Sequence, residues 1–321
     1  MRILTYDELP LELDPERALI HLAALSATAS RRRIALDRDR LKRTADYVGL
    51  FAVEDGHILG HLYVLRIPYT FPDGPGTVSG IASVGTRPDR ARTGVARILL
   101  SEAHLREREA GIEHCTLWTN RSWGAHALYE KLGYRDIYSS PWAVHIPFPA
   151  QRPHPPNPGV RAGLPSDLDE IDRFHDRQAE GRVGFCLRPK GFLRAQVQAE
   201  RLDPAINLLV ARDGRKLVGY ALLDRTPQRV TCGEMATTTR VVQRALIEAV
   251  GHVANGVPFA FQHTPVTDTP GLFHGAGFSN LSLGWYVFMG LTHGHEQTVT
   301  EAEQEFVTDD SRFICLAGDR F

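Results

Sequence analysis

Two short segments hold the residues whose types and spacing suit chemistry. The first is Arg90-Ala91-Arg92-Thr93-Gly94-Val95-Ala96, between the strand-like run TVSGIASVGT and the helix-like run ARILLSEAHLRERE. A strand-to-helix turn leaves several backbone N–H groups without helical partners, and the helix dipole adds positive potential at the same spot. Gly94 lets the backbone approach a ligand, Ala96 keeps the first turn slim, and Arg90, Arg92 and Arg97 add charge. The turn reads as an anion site suited to a pyrophosphate, with a solvated, arginine-rich helix start as the plain alternative. The second segment is Asn120 to Tyr134, NRSWGAHALYEKLGY. Leu128-Tyr129 fall on a short helix, Gly133 can end it with a left-handed residue, and Tyr134 starts the next strand. Alone, this is an amphipathic helix whose tyrosine packs in a core or an interface.

The elements that position these segments repeat along the chain. The 321 residues suggest two domains. The stretch from Pro147 to Gly159, IPFPAQRPHPPNPG with its preceding isoleucine, divides the chain as a semi-rigid spacer. Before it, Asp14-Pro15 opens a helix with Leu19, Leu22 and Leu25 on one side, and a second helix is predicted around Leu36 to Tyr47. A hairpin follows around Glu54-Asp55-Gly56-His57, then the TVSGIASVGT strand. Next come a helix with Ile98, Leu99, Ala103 and Leu105 facing inward, the strand IEHCTLWTN, the short helix and a last extended stretch, YRDIYSSPWAVHIPF. After the spacer the same order recurs: two helices, a hairpin around Arg212-Asp213-Gly214-Arg215, the strand VTCGEMAT, the helix RVVQRALIEAVGHVA, the strand PFAFQHT, the short helix PGLFHGAGF and the strand LSLGWYVFMGL. That is an internal repeat at domain scale.

Composition narrows the function classes. The balance of 37 basic against 38 acidic residues leaves no general nucleic-acid footprint. No run approaches the roughly 20 apolar residues of a membrane span, and the acidic, proline-broken N-terminus reads as neither signal nor transit peptide. Four cysteines without a CxxC exclude a disulfide-dense scaffold and a simple zinc ribbon, so a cytoplasmic location is the default. His293, His295 and Glu296 have ligand types without further spaced partners, so no metal is expected.

A strand, an R-x-x-G-like turn, a helix, a strand and then N…A-L-Y-E-K-L-G-Y resembles the GCN5-related N-acetyltransferase (GNAT) superfamily, over residues 1–146. The resemblance implies a fold class of α/β with a mixed sheet, here as a tandem GNAT fold: a catalytic domain over 1–146, a linker over 147–159, a degenerate domain over 160–292 and an extension over 293–321. It implies acetyl-CoA as cosubstrate, lying where two parallel strands splay apart. Backbone near Val84 and Thr86 would meet the pantetheine arm, and amides of Arg92, Thr93, Gly94, Val95 and Ala96 would hold the pyrophosphate. Asn120 would lie beside the arm. Tyr129 would sit by the thioester sulfur as general acid, since a phenol with pKa near 10 is protonated at neutral pH. The family usually has Gln or Arg three residues before the glycine; here that position is Ala91, flanked by Arg90 and Arg92. The acceptor would be a primary amine of a small molecule or peptide. The base is open among His61, Glu54, Glu113, His114 and ordered water. Trp118 and Trp123 would either wall the acceptor pocket or pack in the core.

The second half looks like a worn copy. Phe273 stands in the tyrosine position, and the turn MATTTRVVQRALIE has neither glycine nor arginine cluster. It reads as structural or substrate-shaping, paired with the first half, with Glu234 where some relatives keep a base. The layout is closer to enhanced-intracellular-survival acetyltransferases than to mycothiol synthases, which would bring the Phe321 carboxylate into the active site; a surface strand is the alternative end. Arg31-Arg32-Arg33 would touch an acidic acceptor or the CoA phosphates, or simply be solvated. Two other functions stay open: transfer of a different acyl group, and a non-catalytic protein binding CoA or a metabolite for regulation.

Overall fold

The computed structural model describes residues 1–25, 46–139, 142–146, 159–198, 202–262, 278–281 and 286–294. The first part contains β1 (Arg2–Thr5), α1 (Asp14–Leu25), β2 (Asp46–Glu54), β3 (His57–Phe71), β4 (Gly74–Thr86), α2 (Val95–Glu109), β5 (His114–Asn120), α3 (Gly124–Lys131), β6 (Arg135–Ser139) and β7 (Trp142–His145). The second contains β8 (Val160–Ala162), α4 (Leu168–Arg177), α5 (Phe192–Gln198), α6 (Pro204–Asn207), β9 (Leu208–Asp213), β10 (Lys216–Thr226), β11 (Arg229–Thr237), α7 (Arg240–Ala254), β12 (Phe259–Gln262), β13 (Ser279–Leu281) and β14 (Tyr286–Thr292).

These strands form two seven-stranded mixed sheets, ordered β1-β2-β3-β4-β5-β14-β6 and β13-β7-β12-β11-β10-β9-β8. The β2–β3 turn forms because Asp55 and Gly56 both take positive φ, 50° and 77°, as a tight hairpin requires. Each sheet has one parallel pair at its centre, β4 with β5 and β11 with β12, and is otherwise antiparallel.

The two sheets exchange their last strands. β7 pairs with β12 and β13 in the second sheet, and β14 inserts between β5 and β6 in the first. The sequence-drawn bounds 1–146 and 160–292 therefore do not coincide with sheet membership. An alternating apolar run specifies a strand and its buried face but not its partner, so the exchange has no local signature.

Three local expectations are also corrected. Asp46 and Tyr47 begin β2, opposite Arg66 and Leu65, and are not the end of a helix; the rest of that segment lies outside the described residues. In α2 the inward side chains are Val95, Leu99, Leu100, Ala103 and Glu107, whereas Ile98 and Leu105 are 42% and 41% exposed. The buried row rises in steps of four from Val95, and Ile98 and Leu105 lie on a neighbouring stripe. In α1 the buried residues are Arg17 and Ile20, with Leu19 and Leu22 outside.

Candidate active site

β4 and β5 pair at only three positions, Val78 with His114, Ser79 with Cys115 and Gly80 with Thr116. Beyond Gly80 each strand stays with its outer neighbour: β4 with β3 as far as Thr86, β5 with β14 as far as Asn120. The parallel pair therefore opens into a fork, with residues 81–86 on one arm and 117–120 on the other. A bulge bends the β4 arm. Its register against β3 slips between His61 and Tyr63, and Ser83 takes φ 51°.

The turn after β4 is built from backbone. Arg90–Gly94 are exposed, while Val95 is buried and anchors the helix. Arg92 and Gly94 hold positive φ, 62° and 91°, and the Thr93 hydroxyl donates to the Arg90 carbonyl at 2.7 Å. The first helical bond of α2 runs from the Ile98 amide to the Gly94 carbonyl, 3.0 Å. The amides of Val95, Ala96 and Arg97 therefore precede the helical ladder. No side chain caps this end, and a Cβ at Gly94 would meet nothing within 4 Å, so glycine is needed for its φ and not for room. An exposed set of N–H groups beside Arg90, Arg92 and Arg97 fits a diphosphate. In the second copy Thr239 caps the equivalent helix, its side chain accepting from the Val242 amide at 3.3 Å, which uses up a donor that the first copy leaves open.

Tyr129 lies in the cluster that holds Val95, Leu99 and Leu117, with half-buried Val84 against it. Val95 and Tyr129 thus belong to one cluster, and Val84 packs against it. Tyr129 is 6% exposed; burial pushes its phenol up to about 12. Its ring meets Tyr134 edge-on at 5.9 Å, and the Tyr134 hydroxyl is held by His104 Nε2 at 2.9 Å. Thr86 ends the β4 arm. Asn120 ends the β5 arm, and its Oδ1 accepts from the Ser122 amide (2.9 Å) and hydroxyl (2.7 Å). Asn120 thus shapes the turn into α3.

The base candidates separate clearly. Glu54 sits at a hairpin tip with the chain's N-terminal amine, 3.1 Å away. Glu113 and His114 lie at the closed end of the β4–β5 pair, where His114 Nδ1 meets the Thr292 hydroxyl at 3.2 Å. His61 alone is opposite the open arm, paired with Gly85, and is fully buried. Trp118 packs on Phe288 at 5.3 Å, and Trp123, 51% exposed, meets Tyr286 at 6.3 Å.

Sequence reading missed a buried network beneath the first sheet. Glu107 accepts from Arg66 Nε and Nη2, both at 3.0 Å, and from Ser79 at 2.6 Å. A glutamate three turns into an otherwise apolar face was the available signal. His293 Nε2 lies 3.3 Å from Cys115 Sγ, whose thiol burial pushes far up. No metal-ligand cluster occurs among the described residues, nor any helix long and apolar enough to cross a membrane. Arg31-Arg32-Arg33, residues 147–158 of the spacer, Phe273, His295, Glu296 and Phe321 lie outside the described residues.

The geometry agrees with the comparisons. Residues 16–137 match the family model for the acetyltransferase (GNAT) domain. This part of the chain belongs to the GNAT family. The fold of the whole chain is that of solved GCN5-related N-acetyltransferases. A probable N-acyltransferase from Enterococcus faecalis V583 superposes with TM-score 0.66 at 14% identity, over 90% of this chain and 72% of its own. A GCN5-related N-acetyltransferase from Sphaerobacter thermophilus gives 0.52 at 21%, over 90% and 95%. Eis1 from Mycobacterium abscessus gives 0.55 at 14%, over 90% and 73%. No curated protein matches the chain. A GNAT domain supports an acyltransferase, and the fork and the glycine turn of this GNAT domain are the parts that fit an acyl-CoA.

Proposed function

We propose that the protein moves the acetyl group of acetyl-CoA to a primary amine of a small molecule or peptide, in the first copy of the fold. The observation that carries this is the convergence of the fork, the uncapped glycine turn and buried Tyr129 on one cluster. The thioester supplies the activated acyl group. The chain's residues bind and orient it: the amides of Arg92 through Ala96 hold the pyrophosphate, the backbone of Val84 and Thr86 meets the arm, and Asn120 closes the far side. The second copy shapes and supports the first.

Tyr129 keeps its proton at any physiological pH because burial disfavours the phenolate. Tyr129 acts as general acid, its hydroxyl bonding to the leaving sulfur and passing it the proton as charge develops there. A hydrogen bond to a charged group contributes about 1.5–3 kcal/mol, so Tyr129→Phe lowers kcat about 10- to 150-fold and leaves the acetyl-CoA KM nearly unchanged. Thiol release from acetyl-CoA with an amine panel measures both, and an unchanged kcat sinks the assignment.

A further inference from the structure

The two copies allow one position to be compared with itself. Gly60-His61 on β3 and Gly219-Tyr220 on β10 occupy the same place. A Cβ on Gly60 would strike the Gly85 carbonyl (2.7 Å) and Val95 (2.8 Å), and one on Gly219 the Ala236 carbonyl (3.1 Å) and Val242 (2.9 Å). Each is thus pressed between the next strand and the helix after it. One step along, Tyr63 faces Ala82 in the first copy where Leu222 faces Glu234 in the second.

The second copy fills this place with its own chain. The Tyr220 hydroxyl donates to Glu234, Glu234 also accepts from Arg188 Nη2 at 2.5 Å, and the guanidinium lies 5.0 Å from the Phe192 ring. All three polar residues are buried or nearly so. The first copy has histidine for the tyrosine and alanine for the glutamate. Both ring nitrogens of His61 are buried without a hydrogen-bond partner. Buried polar groups are seldom left so, and a pair of them on one ring points to a water or a ligand.

Only β4 stands between His61 and the fork, one strand spacing of about 4.8 Å. On that face β4 presents Ala82 and Gly85, the latter directly opposite His61 and covered by Ile20 and Ala24 of α1. From this geometry, and resting on the acetyl-transfer reading, we propose that His61 takes, through one water, the proton that the acceptor amine gives up. The nitrogen lone pair forms the C–N bond, the C–S pair leaves with sulfur, the N–H proton passes through the water to His61, sulfur takes the Tyr129 proton, and His61 releases its proton to solvent as Tyr129 regains one. In the corresponding space of the second copy Glu234 is bonded to Arg188 and Tyr220.

The surroundings suit the role. From α1, His21 stacks on His61 at 4.6 Å and Arg17, beside Asp14, bonds the Tyr63 hydroxyl at 2.8 Å; the rings of Phe51 on β2 and Tyr63 on β3 lie 6.1 and 5.6 Å from the imidazole. Burial, then His21 and Arg17, hold the imidazole well below its usual pKa. It is neutral at neutral pH and accepts from the strongly acidic ammonium formed as the amine attacks.

The test is acetyl transfer by the full chain to 4-methoxyaniline, which is uncharged from pH 6.5 to 9, and to phenethylamine. Wild-type kcat with the arylamine is flat over that range. His61→Gln and the ring-preserving His61→Phe lower kcat at least 100-fold at pH 7, keep the acetyl-CoA KM, and show a rate that climbs about tenfold per pH unit as hydroxide replaces the lost base. A loss of the same factor at every pH, or an undiminished kcat, overturns the proton role and leaves acetyl transfer standing. A wild-type chain that binds acetyl-CoA and acetylates neither amine overturns both.

Discussion

Neither half of the chain should fold as a working unit alone, because each sheet contains a strand from the other half. β14 supplies seven consecutive pairs to β5 and lies between it and β6. Its Val287, Phe288 and Met289 are fully buried and Leu291 nearly so. At roughly 1.5–3 kcal/mol per buried apolar side chain, these four contribute about 6–12 kcal/mol, the same size as the whole stability of a typical domain. A fragment of residues 1–146 loses that contribution and also exposes the inner edges of β5 and β6. The assay is expression of 1–146 and 159–321 separately and together, followed by urea unfolding and acetyl-CoA binding by calorimetry. Each fragment alone is expected to be unfolded or aggregated, and co-expression restores a soluble, acetyl-CoA-binding pair. In the full chain Phe288→Ala costs about 3–5 kcal/mol and weakens acetyl-CoA binding through a residue remote in sequence from the turn. A soluble 1–146 fragment that binds acetyl-CoA as the full chain does would refute the reasoning.

Two further outcomes follow from local geometry. Gly94→Ala meets no clash, but forcing a Cβ residue to φ 91° costs about 1–2 kcal/mol, so acetyl-CoA affinity falls about 5- to 30-fold while circular dichroism stays unchanged. Burial pushes the Asp167 carboxyl up, but hydrogen bonds from Arg161, Arg212 and the Leu164 amide outweigh it and hold the group at about 2. Its folded pKa lies below the unfolded one, so the stability it provides is full above pH 4 and is lost as pH falls towards 2. Asp167→Asn should flatten that acid limb in urea midpoints between pH 4 and 2; an unaltered limb would assign it to other groups.

The chemistry-bearing segments were legible because backbone demands are local. Gly94 needs positive φ and Gly133 ends a helix at φ 98°, and both constraints show as glycine beside a periodic apolar run. The hairpins, α2, α3 and the repeat were legible for the same reason. The inward face of α2 was not: Ile98 and Leu105 are as apolar as Leu99, and only the sheet it packs on selects the stripe. The role of Asn120 was likewise hidden, since its Oδ1 is drawn off by Ser122.

By itself, then, the sequence determined the kind of elements, their order, the duplication and the glycine turn, because each depends on residues within about a helix length of one another. Tertiary structure alone decided which sheet receives β7 and β14, because apolar alternation names a buried face and leaves its partner open. It also decided which of four candidate bases stands at the fork. His61 differs from Glu54, Glu113 and His114 by register against β4, a property of two strands and not of one.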